Sequence, residues 1–316
     1  MKLSLAISPC PNDTFIFHAW IAGLVPGAPE VETRLVDIDE LNALALAGIP
    51  DVTKLSFAAF ARVREGYALL HAGGALGRGC GPLVVVRSDS ALRRGERPLG
   101  GARVAIPGEL TTAALLLRLY LVSGEGGGAA GSHTEGTTLS AAAAAKGPGA
   151  CIESPVRLEV LRFDEIMTAV ASSQVDAGVI IHESRFTYPA LGLAALVDLG
   201  EWWERTTGYA IPLGGIAVRR DLGPEVAAAA DRAVRESLLA ARRAPEASAA
   251  FIREHAQEMD EAVCRQHIDL YVNQYSLDYG RAGRAAIEEL LGRAGQTGGD
   301  TAAADPAEAL PLFWDG

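Results

Sequence analysis

His182 directly follows Val179-Ile180-Ile181, a short apolar run of the kind that forms a buried strand, and so falls at a strand's carboxyl end. In open α/β sheets that edge faces the ligand crevice. An imidazole there can exchange a proton near neutral pH, because its unperturbed pKa is about 6.5. Proton abstraction is the chemistry this position would serve; the plainer reading is a structural or surface histidine. The neighbouring Glu183 points to the other side if the strand continues, as a salt-bridge partner or surface group. Thr111 and Thr112 bring two hydroxyls into the opening turn of an expected helix, just after Pro107-Gly108. The free N–H groups and positive dipole end of a helix start make an anion site, while a simple N-cap by one threonine is the ordinary alternative. In Lys54-Leu55-Ser56 the serine ends a strand and begins a helix, either as a cap or as a hydroxyl presented to a cleft. The turn Ser8-Pro9-Cys10-Pro11-Asn12-Asp13-Thr14 sets two prolines beside polar side chains at another strand end. It suits ligand contact through Asn12, or a plain turn with a helix cap.

Other residue types carry less. Gly73–Gly81 is glycine-rich and includes Gly77 and Arg78. It lacks the Gly-Lys-Ser/Thr ending and leads into a strand, so neither nucleotide fingerprint applies. It reads as a flexible loop lining a cleft or bordering a hinge, with Arg78 as a candidate anion contact. His18, His71, His133, His255 and His267 show no metal-ligand spacing, and no Gly-x-Ser-x-Gly elbow occurs. Cys10, Cys80, Cys151 and Cys264 are scattered without a Cys-x-x-Cys pair, which argues against a disulfide framework and for a reducing compartment. Trp202-Trp203 reads as packing rather than as a ligand platform.

The elements that must position these residues alternate between short apolar runs and longer helical patterns, the mark of βαβ units and an open, largely parallel sheet. Strands are expected at Leu3–Ser8, Val31–Ile38, Asp51–Ser56, Pro82–Arg87, Ala102–Ile106, Val156–Leu161, Ala177–Ile181 and Ile216–Val218. Helices are expected after Asp13 or Thr14 as cap, over Asp39–Ala47 with Asp39 as cap, over Phe57–Arg64, Thr111–Val122 and Asp164–Ser173, and from Pro224 to about Ala294. A chain of 316 residues is long for a single core. The expected organisation is discontinuous, with lobe one from 1–100 plus 214–316, lobe two from 101–213 and crossings near Ser88–Gly101 and Ile211–Gly215; three consecutive parts are the alternative the sequence leaves open. Residues 123–150, mostly Gly, Ala, Ser and Thr, read as a surface insertion too poor in apolar residues to offset its ordering entropy, and the 295–307 tail reads alike.

A formal net charge of -11 with no dense Lys/Arg cluster excludes the polyanion binders, so no nucleic-acid partner is expected. No apolar run approaches the roughly 20 residues of a membrane span. Met1–Cys10 superficially resembles a lipoprotein signal, but its apolar run, broken by Ser4, is too short and Pro9 precedes the cysteine, so a cytoplasmic protein is expected.

Two long motifs, Ser8-Pro9-Cys10-Pro11-Asn12-Asp13-Thr14-Phe15 and Ile180-Ile181-His182-Glu183-Ser184-Arg185-Phe186-Thr187-Tyr188-Pro189, resemble the 1,4-dihydroxy-6-naphthoate synthase family of menaquinone biosynthesis. Lys54-Leu55-Ser56, Gly73–Gly79 and Thr111-Thr112-Ala113 match the same family in type and order, from Leu3 to about Leu291. The resemblance implies an α/β, two-lobed periplasmic-binding-protein-like fold of type II with a central cleft. It implies a cofactor-independent, metal-free carbon–carbon lyase of the futalosine route that converts cyclic dehypoxanthinylfutalosine, a small carboxylated aromatic substrate, into 1,4-dihydroxy-6-naphthoate. His182 then matches the proposed general base. Thr111 and Thr112 would hold the aromatic carboxylate, with Asn12, Lys54, Ser56 and the loop carrying Gly77 and Arg78 shaping the opposite wall. The 123–150 insertion has no counterpart in the family pattern. The competing readings are a non-catalytic cytoplasmic binding or sensor protein, which would need no titrating base at the cleft, and chorismate dehydratase, against which the run from His182 to Pro189 speaks.

Overall fold

The computed structural model describes residues 2–125, 155–256, 260–295 and 310–315, so nearly all of the 123–150 and 295–307 stretches lies outside the described residues. Strands β1 (Lys2–Ile7), β2 (Glu30–Leu35), β3 (Val52–Ser56), β4 (Tyr67–Leu69) and β5 (Ala75–Gly77) belong to a first sheet, and β6 (Leu83–Arg87), β7 (Arg103–Ile106), β8 (Arg157–Val160), β9 (Ala177–Ile180) and β10 (Leu193–Asp198) form a second. Strand β11 (Ile211–Arg219) returns to the first. The helices are α1 (Pro11–Ile21), α2 (Ile38–Leu46), α3 (Phe57–Val63), α4 (Thr112–Val122), α5 (Phe163–Ala171), α6 (Ser184–Thr187), α7 (Leu199–Thr207), α8 (Pro224–Arg243), α9 (Ala249–His255), α10 (Glu261–Tyr271), α11 (Gln274–Leu277) and α12 (Gly280–Ala294). None of the described helices is long and apolar enough to cross a membrane.

The first sheet runs β2-β1-β3-β11-β4, with β5 also on β11, and the second runs β10-β6-β9-β7-β8. β1 is parallel to β2 and β3, and β7 is parallel to β8 and β9. β11 and β6 run antiparallel to every strand they pair with. These are the two strands the chain enters on arriving from the other sheet. Parallel pairing needs a crossover within one sheet, and a strand arriving from elsewhere is free of that requirement, so each sheet is mixed rather than largely parallel.

Residue patterns account for the elements. β6 carries Val84-Val85-Val86, wholly buried, as in a strand covered on both faces. The edge strand β2 alternates exposed and half-buried side chains. On α8, Ala227, Ala230, Val234, Leu238 and Ala241 fall on one buried stripe, and Pro224 occupies the first turn, where its missing N–H costs nothing. Leu3, Leu5 and Ile7 pack with Phe17, Trp20 and Val234, while Val85, Ala105, Ile166 and Val170 pack over the second sheet. A third cluster joins the two sheets, running from Leu55 and Phe60 through Leu116 to Val179, Trp202 and Trp203. The tryptophans are core, the packing role expected of them.

Two helix starts differ from the sequence expectation. α1 begins at Pro11 with Cys10 at the N-cap position, ahead of Asp13 and Thr14. Proline's fixed φ suits the first helical residue, and the Thr14 hydroxyl turns back to donate to the Cys10 carbonyl at 3.1 Å. α2 has Asp37 at its N-cap position and Asp39 in its first turn.

Strand β6, placed by the sequence pattern ahead of any crossing, hydrogen-bonds into the second sheet, so the chain passes between sheets at residues 78–82 and returns at 208–210. The first crossing packs against α7, the helix that leads into the second. Leu199 N–H donates to the Pro82 carbonyl at 3.0 Å and Gly79 N–H to Glu204 Oε1 at 2.8 Å. Arg185, inside the longer motif, donates to the Gly81 carbonyl and to Asp198, each at 2.6 Å. The backbones of Gly81 and Gly200 meet so closely that a Cβ built on Gly200 would stand 2.8 Å from Gly81 Cα. Gly200→Ala should therefore cost about 1–3 kcal/mol of overpacking strain, seen as a lowered urea midpoint; an unchanged midpoint would show that the crossing yields.

Candidate active site

The carboxyl ends of β1, β3, β7 and β9 and the starts of α1, α3 and α4 converge on one cavity between the sheets. Asn12, Lys54, Ser56, Thr111, Thr112 and His182 line it together. Gly77 and Arg78 are not among its lining residues. Gly77 lies in β5, where a Cβ would stand 3.0 Å from Cys80 Sγ. Arg78 reaches Glu204 at 3.3 Å and the Gly208 carbonyl at 2.7 Å on the exposed side of the crossing, so its charge serves α7 rather than the cavity.

The turn after β1 builds a polar cluster around Asp13. Its Oδ1 accepts from Lys54 Nζ at 2.7 Å and from Asn12 Nδ2 at 2.9 Å, and its Oδ2 accepts from Ser8 Oγ at 2.6 Å. All four residues are buried. A buried ion pair offsets its desolvation only when geometry and further hydrogen bonds are good, and here three donors complete the carboxylate. Ser56 is held by Asn42, which donates to Ser56 Oγ at 3.1 Å and accepts from Ser56 N–H at 2.9 Å while reaching the Leu110 carbonyl. Asn42 was detectable only as a polar residue between Leu41 and Ala45 on the buried stripe of α2.

Thr111 is the N-cap of α4: its hydroxyl accepts from Ala114 N–H at 3.2 Å and donates to the Gly108 carbonyl at 2.8 Å. The Thr112 hydroxyl donates to the Leu213 carbonyl at 2.6 Å, tying α4 to β11 across the cleft. Both hydroxyls are thus engaged within the protein, and the anion-binding capacity of this helix start resides in the N–H groups of its first turn.

His182 stands two residues past β9 with φ 55, a left-handed backbone that only one other described non-glycine residue, Ser173, adopts. Such strain persists where surrounding structure over-determines it. Its Nδ1 lies 3.5 Å from Cys10 Sγ, the Phe163 ring meets it edge-on at 5.1 Å, and the His267 ring stands 6.1 Å away. Burial pulls the imidazole down to about 4, with the Asp13 carboxylate opposing and the Lys54 ammonium reinforcing the fall. Burial, followed by the charges of Glu183 and Asp13, pushes the Cys10 thiol well up, so it is neutral. When Nδ1–H faces that sulfur, the ring's basic lone pair is on Nε2. Glu183 is buried rather than at the surface, because the backbone turn at His182 breaks the strand alternation.

The neutral imidazole of His182 gives a pH signature. In the unfolded chain it titrates near about 6.5, above the folded value. The unfolded state therefore binds protons first, and stability is complete above about pH 6.5 and lost as pH falls toward the folded value of about 4. The urea midpoint should drop across that window, and His182→Asn should flatten the drop relative to wild type; parallel profiles for both proteins would remove His182 from the account.

A family model for menaquinone biosynthesis matches residues 3–152 and 148–296. A 1,4-dihydroxy-6-naphthoate synthase of Streptomyces coelicolor is 47% identical over 310 residues, spanning 98% of both chains. One of Thermus thermophilus is 44% identical over 311 residues, again spanning 98% of both. The chain belongs to the 1,4-dihydroxy-6-naphthoate synthase family of menaquinone biosynthesis. Among solved structures, an Archaeoglobus fulgidus protein superposes with TM-score 0.78 at 31% identity, covering 94% of this chain and 98% of that one. A Candida albicans protein described as having the generic periplasmic binding protein fold superposes with TM-score 0.64 at 12% identity, over 94% and 90% of the two chains. The fold of this naphthoate synthase family member is therefore the periplasmic-binding-protein-like α/β fold, two sheets with a cleft between them. In this family member the cleft gathers the residues of both sequence motifs.

Proposed function

We propose that this chain converts cyclic dehypoxanthinylfutalosine into 1,4-dihydroxy-6-naphthoate, with His182 as the general base. The substrate's aromatic carboxylate lies at the first turn of α4, and its sugar-derived part lies against His182. The base removes a proton from that part, carbon–carbon bonds break, a sugar-derived fragment leaves and the ring system becomes aromatic. One arrangement carries the reading: a neutral imidazole on a strained backbone, with Nδ1 against a neutral thiol, in the same cavity as a helix start able to take an anion. A binding protein needs donors at its cleft but no such base. A base of this kind contributes about 10²–10⁴-fold, so orientation in the closed cleft supplies much of the rest. Ser56, held by Asn42, and the Asp13 cluster with Asn12 and Lys54 form the opposite wall. We place the reaction in the cytoplasm, without a metal or organic cofactor. The test is incubation of purified, metal-free protein with the cyclic substrate, following naphthoate by chromatography and mass. Product supports the reading, tight binding without product turns it into a sensor, and no binding points to the related dehydratase.

A further inference from the structure

His267 lies past the middle of α10, a helix packed against α1 and β5 of the first sheet, whereas His182 arrives from the second. Its side chain is wholly buried, yet it lines the cavity, and neither Nδ1 nor Nε2 has a hydrogen-bond partner among the described residues. The ring stands 6.1 Å from His182 and 4.5 Å from Tyr271. A core position of this kind is normally apolar or paired, because leaving a buried donor and acceptor unmade costs stability. Neither the ion-pair cluster nor the α4 helix start makes use of this residue.

We infer that His267 is a second substrate-contacting residue, whose imidazole hydrogen-bonds a hydroxyl group on the sugar-derived part of the substrate. The chemistry follows from the ring's state. Burial, reinforced by His182 and the Lys54 charge, holds His267 neutral, so it offers one N–H donor and one bare nitrogen. A carboxylate can only accept and would leave the bare nitrogen unpaired. A hydroxyl both donates and accepts, so a substrate carrying hydroxyls can satisfy both ring nitrogens. At 6.1 Å between ring centres, a single hydrogen-bonded oxygen spans the gap to His182. The substrate is thereby oriented with its carboxylate at α4 and its hydroxylated end between the two histidines. This inference rests on the proposed function and extends it.

The test compares wild type, His267→Phe and His267→Gln by calorimetric titration and steady-state kinetics. Two probes are used: the cyclic substrate, and 2-naphthoate, an aromatic carboxylate with no hydroxyl. His267→Phe is expected to bind 2-naphthoate within about twofold of wild type, to lose tenfold or more in kcat/KM for the cyclic substrate, and to unfold no more easily than wild type. His267→Gln, which keeps a donor and an acceptor, should recover part of the loss. Equal loss for both probes would mark a packing role and overturn the inference, as would wild-type kcat/KM in His267→Phe. A wild type that neither binds nor turns over the cyclic substrate would overturn the proposed function, and the hydroxyl assignment with it.

Discussion

His182→Asn is expected to lower turnover by about 10²–10⁴-fold while leaving substrate affinity within a few-fold of wild type. The variant is chosen for the backbone. At φ 55 most side chains are strained, and asparagine is among those that tolerate the left-handed region. Asparagine also keeps a planar hydrogen-bonding group beside Cys10 but has no titrating nitrogen. A loss confined to kcat, with KM little changed, is the pattern of a group acting in the transition state rather than in binding. Full activity in this variant, measured by naphthoate formation, would sink the assignment of His182 as base. An equal loss of binding would instead make it a substrate anchor.

Lys54→Met should destabilise the protein by about 3–5 kcal/mol, because it leaves the Asp13 carboxylate buried without its cation. Side-chain exposure is 7% for Lys54 and 1% for Asp13, so the carboxylate has little solvent contact to offset the missing partner. Adding Asp13→Asn should restore much of the loss, since the neutral amide removes the stranded charge while Ser8 and Asn12 remain nearby. Urea unfolding of the two single variants and the double variant measures the coupling. Additive losses would mean that the pair is not the unit of stability inferred from its geometry.

Most strands and several helix starts were legible because they depend on neighbours in sequence, although the caps of α1 and α2 were each displaced by two or more residues. The valine run of β6, the Thr111 cap of α4 and Pro224 in the first turn of α8 are local choices of burial, capping and fixed φ. The edge of the cleft followed from them, since strand ends in such sheets carry the ligand residues, and six of the eight proposed site residues line the cavity. The direction of β6 and β11 was not legible. It depends on which sheet the chain has just left, and that is a property of the whole path.

From the sequence alone came the two motifs, the family they belong to and the placing of His182 at a strand end. The tertiary structure alone decided how the long and titratable side chains were used. Lys54 turned to Asp13, Arg78 to Glu204 and Thr112 to the Leu213 carbonyl, while Cys10 met His182 and the imidazole of His267 came to the cavity unpaired. Each of these outcomes joins residues far apart in the chain. A side chain with several rotatable bonds settles on whichever charge or donor the fold brings within about 3 Å, and periodicity and capping carry no information about that partner.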